Sequence, residues 1–188
     1  MKAERVRWRR RVGRVSKDRL LFLDESGAKT NMKRLYGWSV KGTRLVDSVP
    51  GGHWTTTTMI SAIRLSGVAT AMVTDGPTDA TVFTGFTEHF LAPVLKKGDI
   101  VVMDNLSSHK VKKVVELIEA VGAQAWYLPP YSPDFNPIEQ MWSKVKAILR
   151  SFARRTKKTL YSAIGKALNT VDPIECVNYF ANCGYHAT

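Results

Sequence analysis

Two short, wholly apolar runs, Leu20–Leu23 and Ile100–Met103, are each closed by an aspartate, Asp24 and Asp104. Runs of this length and texture suit strands covered on both faces, which sit centrally in a sheet. Between them the chain reads as β structure. Gly37-Trp38 and the turn around Lys41-Gly42-Thr43 predict a hairpin, with residues 43–49 as one of its strands. Thr58–Leu65 and Val68–Thr74 are β-branched segments joined at Ser66-Gly67, so an antiparallel meander is expected. The period lengthens after Thr78, where Val82, Phe83, Phe86 and Phe90 fall at helical spacing behind Asp79. A further helix is expected over Lys110–Gly122, capped by Ser107 or Ser108 and stopped by Gly122. Residues 124–130 form a short strand, Pro130–Pro137 a proline-rich loop, and a long helix runs from about Pro137 to beyond Arg150. Its stripe of Ile138, Trp142, Val145, Leu149 and Phe152 is the face to be buried. A strand cluster followed by alternating helices and strands implies an α/β domain, a mixed sheet flanked by helices, over residues 20–188. Residues 1–19 have no sustained apolar period and read as a basic arm or linker.

Charge changes this picture by its placement. The formal net charge is +12. Residues 1–19 hold nine Lys or Arg against Glu4 and Asp18, and residues 140–171 hold eight with no acid. Two basic segments flanking a near-neutral centre point to a polyanion partner, with a merely solvated surface as the competing reading. No apolar run of about 18 residues occurs, so no membrane span is expected, and the charged N-terminus does not resemble a signal peptide. A cytoplasmic location follows. Cys176 and Cys183 read as buried free thiols, and a zinc site with His186 is the alternative.

The matched aspartates carry the chemistry. If their strands lie side by side, both carboxylates emerge at the carboxyl edge, where open α/β sheets bind ligands. Taken singly, each Asp would be an ordinary turn or cap residue. Glu139 has two readings as well. Asn136 at the N-cap, Pro137 at the first helical position and Glu139 at the third form a capping box. Alternatively Glu139 is a third metal-binding carboxylate, with Lys146 and Arg150 near its azimuth to hold phosphates. Asp and Glu without His or Cys suit Mg²⁺, and two ions about 3.5–4 Å apart both activate a nucleophilic oxygen and stabilise a leaving one. Clustered carboxylates without metal should raise at least one pKa, so that metal binds with proton release near neutrality. Glu25 should point away from Asp24 by strand alternation. Asn105 and His109 either orient water or phosphate or belong to the start of the next helix. His53 and Trp54 are loop residues able to stack on a base or simply pack, and Asp75, Asp79 and Asp134 are turn or cap residues.

The motifs FLDES at Asp24, VVMDN at Asp104 and PPYSPDFNPIEQMW at Glu139 resemble those of DDE transposases, in particular the bacterial insertion-sequence branch of the mariner superfamily. The 34 residues between Asp104 and Glu139 match that superfamily's interval, and MDNLSSHK and GHWTTTT are similar to segments of the same branch. The resemblance implies a ribonuclease-H-like fold with Asp24 on the first strand, Asp104 on the fourth and Glu139 on the last long helix. It implies Mg²⁺ (or Mn²⁺)-dependent cutting at transposon ends, then transfer of the 3′-hydroxyl to target DNA at TA. DNA contacts are expected at Lys146, Arg150, Arg154, Arg155, His109, Lys110 and Tyr131. A homo-oligomer is the expected active form, in a bacterial, nucleoid-associated setting. Family members carry helix-turn-helix modules ahead of this domain. The resemblance therefore implies either an upstream region joined by frameshifting or a truncated, catalytically silent DNA-binding derivative.

Overall fold

The computed structural model describes residues 2–48 and 50–186; Met1, Val49, Ala187 and Thr188 lie outside it. Five strands form one mixed sheet: β1 (Leu20–Lys29), β2 (Thr56–Arg64), β3 (Gly67–Asp75), β4 (Ile100–Met103) and β5 (Gln124–Tyr127). Their order is β3-β2-β1-β4-β5. β1, β2 and β3 pair antiparallel, while β4 runs parallel to both β1 and β5. The two apolar runs are therefore adjacent, aligned Leu20 to Ile100 and Phe22 to Val102.

Alternation along these strands divides the core in two. Leu20, Phe22, Ile100 and Val102 face one cluster, together with residues of helices α1 (Lys2–Val12), α4 (Ile138–Phe152), α5 (Lys157–Leu168) and α6 (Pro173–Asn182). Leu21, Leu23, Val101 and Met103 face the other, under α2 (Ala80–Phe86) and α3 (Lys112–Ala120). Asp24 and Asp104 continue the even-numbered series, so both are aimed at the face that α4 covers.

Several expectations give way to packing. Residues 2–12, read as an arm, are a helix whose Trp8 and Val12 are buried. Two anchors at i and i+4 dock it, too few to register as a period among the arginines, and Arg11 lies 3.6 Å over the Trp126 ring. The described residues of the expected strand at 43–49 are irregular; its last residue, Val49, is outside the described set. Both edges of β1 are taken by β2 and β4, and Tyr36, Trp38 and Val46 are 89%, 99% and 84% exposed, so no core lies beneath them. The helix after Asp104 is split into a 3-10 turn, Ser107–Lys110, and α3, with Val111 at the cap and no side-chain bond from serine. The helix at 80–86 is capped by Asp79 as expected, then widens to a π-turn, Thr87–Leu91, which leaves Phe90 exposed. On α4 the buried stripe includes Met141, whereas Phe152 in the last turn is exposed. Cys176 and Cys183 are both free and buried. Among the described residues no helix is long and apolar enough to cross a membrane.

Candidate active site

Pairing of β1 with β4 stops at Phe22 and Val102, two residues short of each aspartate. Past that point the chains separate into a crevice, the usual ligand position on an open α/β sheet. A cavity of about 510 Å³ occupies it, lined by Asp24, Asp104, Glu139, Asn136 and the loop from Leu128 to Pro133. Glu139 enters from the first turn of α4. Three carboxylates far apart in sequence thus share one cavity.

Each is held differently. Asp24 is 7% exposed; its Oδ1 accepts from the Glu25 backbone N–H at 2.7 Å and its Oδ2 from Asn136 Nδ2 at 3.0 Å. Burial, followed by the charges of Glu139 and Asp104, pushes its pKa up to about 7 against the opposing Glu25 N–H and His109. The expected rise occurs, but desolvation rather than mutual repulsion leads it. Asp104 is 39% exposed and accepts from Leu106 N–H at 2.9 Å. Burial would raise its pKa too, yet the contact with His109, the Leu106 N–H and the charges of His109 and Lys110 hold it below the ordinary value. Glu139 is exposed.

His109 is the residue whose role changes most. It has no exposed surface and lies against the Phe83 ring at 4.2 Å. Its Nδ1 stands 2.7 Å from Asp104 Oδ1, off the line of an aligned hydrogen bond, and its Nε2 3.4 Å from Glu25 Oε1. The first contact is an ion pair, short in distance but poor in direction for a hydrogen bond. Burial favours the neutral ring, but the carboxylates of Asp104 and Glu25 beside it win and push the pKa up to about 9. His109 is therefore an imidazolium clasp between two carboxylates, with no surface through which to meet DNA. Glu25 does project to the opposite face of β1, as alternation requires, and there it holds His109.

Asn136 also departs from expectation. It does not cap α4, which has no side-chain cap; its amide reaches 112 positions back to Asp24. Its Oδ1 is buried without a partner. The capping-box reading of Glu139 accordingly fails, because α4 starts one residue later, with Pro137 at the cap, and the Asn136 side chain is turned into the cavity. Asn105 donates to Leu128 O at 2.6 Å, tying the second motif to the loop that begins the third.

The donor set is all oxygen, which fits a hard divalent cation. Among the described residues no three Asp, Glu, His or Cys side chains stand close enough to enclose an ion as they are. Unscreened carboxylates that share a cavity should stand apart, and His109 draws Asp104 aside. The residues fit Mg²⁺ or Mn²⁺ by chemistry and by common cavity.

The remaining expected contacts are dispersed. Tyr131 is 90% exposed at the cavity rim with φ of 52°. Lys110 is exposed above the Tyr127 ring, and Lys146 and Arg150 are half-buried along α4. Arg154 lies over Phe152, while Arg155 donates to the carbonyls of Thr30 and Met32, where β1 ends. Asp75 and Asp134, read as turn residues, are paired with Lys157 and Arg5.

Residues 19–160 match the family model described as DDE superfamily endonuclease. No curated protein sequence matches. Among solved structures, the Mos1 mariner paired end complex with Mn is similar at TM-score 0.77 and 16% identity, over 97% of this chain and 57% of that one. The Mos1 transposase paired-end complex with left transposon end gives 0.71 and 17%, over 100% and 61%. The catalytic domain of Mos1 mariner transposase gives 0.61 and 15%, over 97% and 82%. The chain thus spans about three fifths of the Mos1 chains in the paired-end complexes. At these identities the likeness is one of fold, and that fold is ribonuclease-H-like. The family match covers most of the chain and includes all three carboxylates, so this protein is a member of the DDE superfamily endonucleases.

Proposed function

We propose that this chain is the catalytic domain of a DNA transposase of the bacterial insertion-sequence branch of the mariner superfamily. It cuts at transposon ends and passes the freed 3′-hydroxyl strand to target DNA. The observation that carries the reading is the single cavity lined by Asp24, Asp104 and Glu139 in a DDE endonuclease fold. Mos1 structures of the same fold hold transposon-end DNA, and others hold Mn or Mg. The insertion-sequence branch and the TA target rest on the motif resemblance alone.

Asp24, Asp104 and Glu139 would hold the metal, two Mg²⁺ ions with Mn²⁺ as substitute. Bound there, the metal supplies activation of the attacking oxygen and stabilisation of the leaving oxygen. Asp24 carries a proton below about pH 7 and gives it up on taking its place as ligand. Asn136 fixes the rotation of the Asp24 carboxylate from one side. His109 places one positive charge between Asp104 and Glu25 without facing solvent. Lys146, Arg150 and Arg154 hold phosphates, and Tyr131 contacts DNA at the rim. The active form is a homo-oligomer acting together with a helix-turn-helix DNA-binding region.

A supercoiled-plasmid nicking assay with Mg²⁺ or Mn²⁺ tests this. Asp104→Asn should abolish nicking while fold and DNA affinity persist, because it changes a ligand at an open edge. Binding without nicking by the wild-type chain would instead identify a silent DNA-binding derivative. Nicking by the variant at the normal rate would end the assignment.

A further inference from the structure

We propose that Arg5 is a positioning residue for the candidate active site, through its hold on the turn that precedes α4. The inference rests on the metal-dependent reading of that site. Arg5 Nη1 donates to Ser132 Oγ at 2.8 Å and to Asp134 Oδ1 at 2.9 Å, and Nη2 donates to Asp134 Oδ2 at 2.5 Å. Its guanidinium lies 4.2 Å over the Phe135 ring. This is the planar fork and stacking geometry that arginine provides and lysine does not. A second grip comes from the same helix, because Trp8 Nε1 donates to Tyr185 OH at 3.0 Å, and that hydroxyl donates to Phe135 O at 2.7 Å.

What these contacts hold is a three-residue 3-10 turn, Pro133–Phe135, outside the sheet and the long helices. On its amino side Tyr131 is left-handed, a conformation that L side chains rarely adopt, and its own side chain is exposed and cannot enforce it. On its carboxyl side the next residue, Asn136, donates to Asp24 Oδ2, and Glu139 follows one turn later. α1 therefore fixes the segment from which Asn136 reaches one carboxylate and α4 presents another. Two of the α1 arginines, Arg5 and Arg9, lie over the Phe135 ring.

The test compares wild type, Arg5→Gln and the charge-swapped double variant Arg5→Asp with Asp134→Arg. Two readouts are used: backbone hydrogen exchange without metal, and Mn²⁺ affinity by calorimetry. In Arg5→Gln, amides of residues 134–140 should exchange about tenfold faster, while β2 and α5 are unchanged. Mn²⁺ affinity should fall severalfold and affinity for duplex DNA less than about twofold. The double variant should recover both properties in part. If Arg5→Gln disrupts folding, Asp134→Asn breaks the same pair with α1 intact and must give the same pattern. Unchanged exchange at 134–140, or acceleration spread evenly over β2 and α5, overturns the proposal. Absence of Mn²⁺ binding by the wild type would sink the functional reading instead, and the exchange pattern would still decide on Arg5.

Discussion

The chain contains nearly the same four residues at two helix starts, Asn136-Pro137-Ile138-Glu139 before α4 and Asp172-Pro173-Ile174-Glu175 before α6. At α6 they do what the pattern promises. Asp172 accepts from Ile174 N–H at 2.7 Å, and Glu175 reaches back to the Asp172 N–H at 2.9 Å, closing a capping box. At α4 no side chain caps the helix. Asn136 turns inward to Asp24, and Glu139 remains exposed at the cavity. A cap of this kind contributes about 1 kcal/mol, so its absence at α4 is a local stability cost. Sites of function are where such local rules are expected to be broken. The difference teaches that a capping-box sequence names a helix start, whereas only the tertiary partner of the first residue tells what the acid is for.

The sharpest way to break the comparison is to change the two acids in parallel. Glu139→Gln should lower the nicking rate by roughly 10³-fold or more, the scale of losing a group that acts on developing charge, with little change in melting temperature. Glu175→Gln should do the reverse. Equal loss of nicking in both variants would mean that α4 and α6 are not used differently.

Titration separates the same two regions. The ordinary Asp pKa is 3.8, and that of Asp24 in the fold is about 7. The native protein therefore holds this proton more tightly than the unfolded chain does. The associated stability is fully present below about pH 4 and is lost as pH rises towards 7, with a ceiling of roughly 4 kcal/mol. His109, raised from 6.5 to about 9, adds stability that is present below 6.5 and lost as pH rises through about 9. Glu175 has the opposite sign: the Asp172 N–H and Lys144 lower its pKa, so its contribution is lost on acidification. Melting in EDTA should consequently fall between pH 6 and 9, and saturating Mg²⁺ should flatten the part due to Asp24. A melting temperature that climbs over that range in EDTA contradicts the assignment of both groups.

How much of this was readable in the chain depends on the range of the interaction. Asp24 and Asp104 were legible because four apolar residues before each fix both strand and edge. Asp79 and the α4 stripe were legible because their partners lie within a few positions. Asn136 was read as a cap because its alternative partner is 112 positions away. The same holds for His109, which Glu25 engages across 84 positions, and for Arg5, 129 from Asp134. The expected strand at 43–49 shows the converse: local β texture with both edges of β1 already paired and no core beneath it gives an irregular segment. The start of α6 carries a local signal in Asp172-Pro173 and Glu175, all within four positions.

Asn136→Ala tests the inward turn directly. It removes the donor to Asp24 and the buried, unpartnered Oδ1 together. Loss of a residue that orients a metal ligand typically costs 10–100-fold, so Mn²⁺ affinity and nicking should each fall by about that factor. Asp172→Ala, the matching change at α6, should leave both intact and reduce stability by about 1 kcal/mol. Undiminished Mn²⁺ affinity in Asn136→Ala would return that residue to an ordinary loop role.

The smallest effect is expected from Glu175→Gln. Glu175 Oε2 accepts from the Asp172 N–H and from Lys144 Nζ at 2.5 Å, and Lys144 also donates to Thr170 O at 2.6 Å. Glutamine keeps an amide oxygen for the helix start and loses only the charge that faces Lys144. The pair is about one third exposed on both sides, where such ion pairs contribute ~1 kcal/mol or less. For a chain of this size that amounts to a melting shift of about 2–4 °C at most. Lys144 lies on α4, so α6 is fastened to the very helix that presents Glu139. If nicking fell further than the folded fraction in Glu175→Gln, the staple at α6 would be setting the angle of α4 at the cavity. The two helix starts would then be one mechanical unit, and the contrast between a structural acid and a working one would collapse.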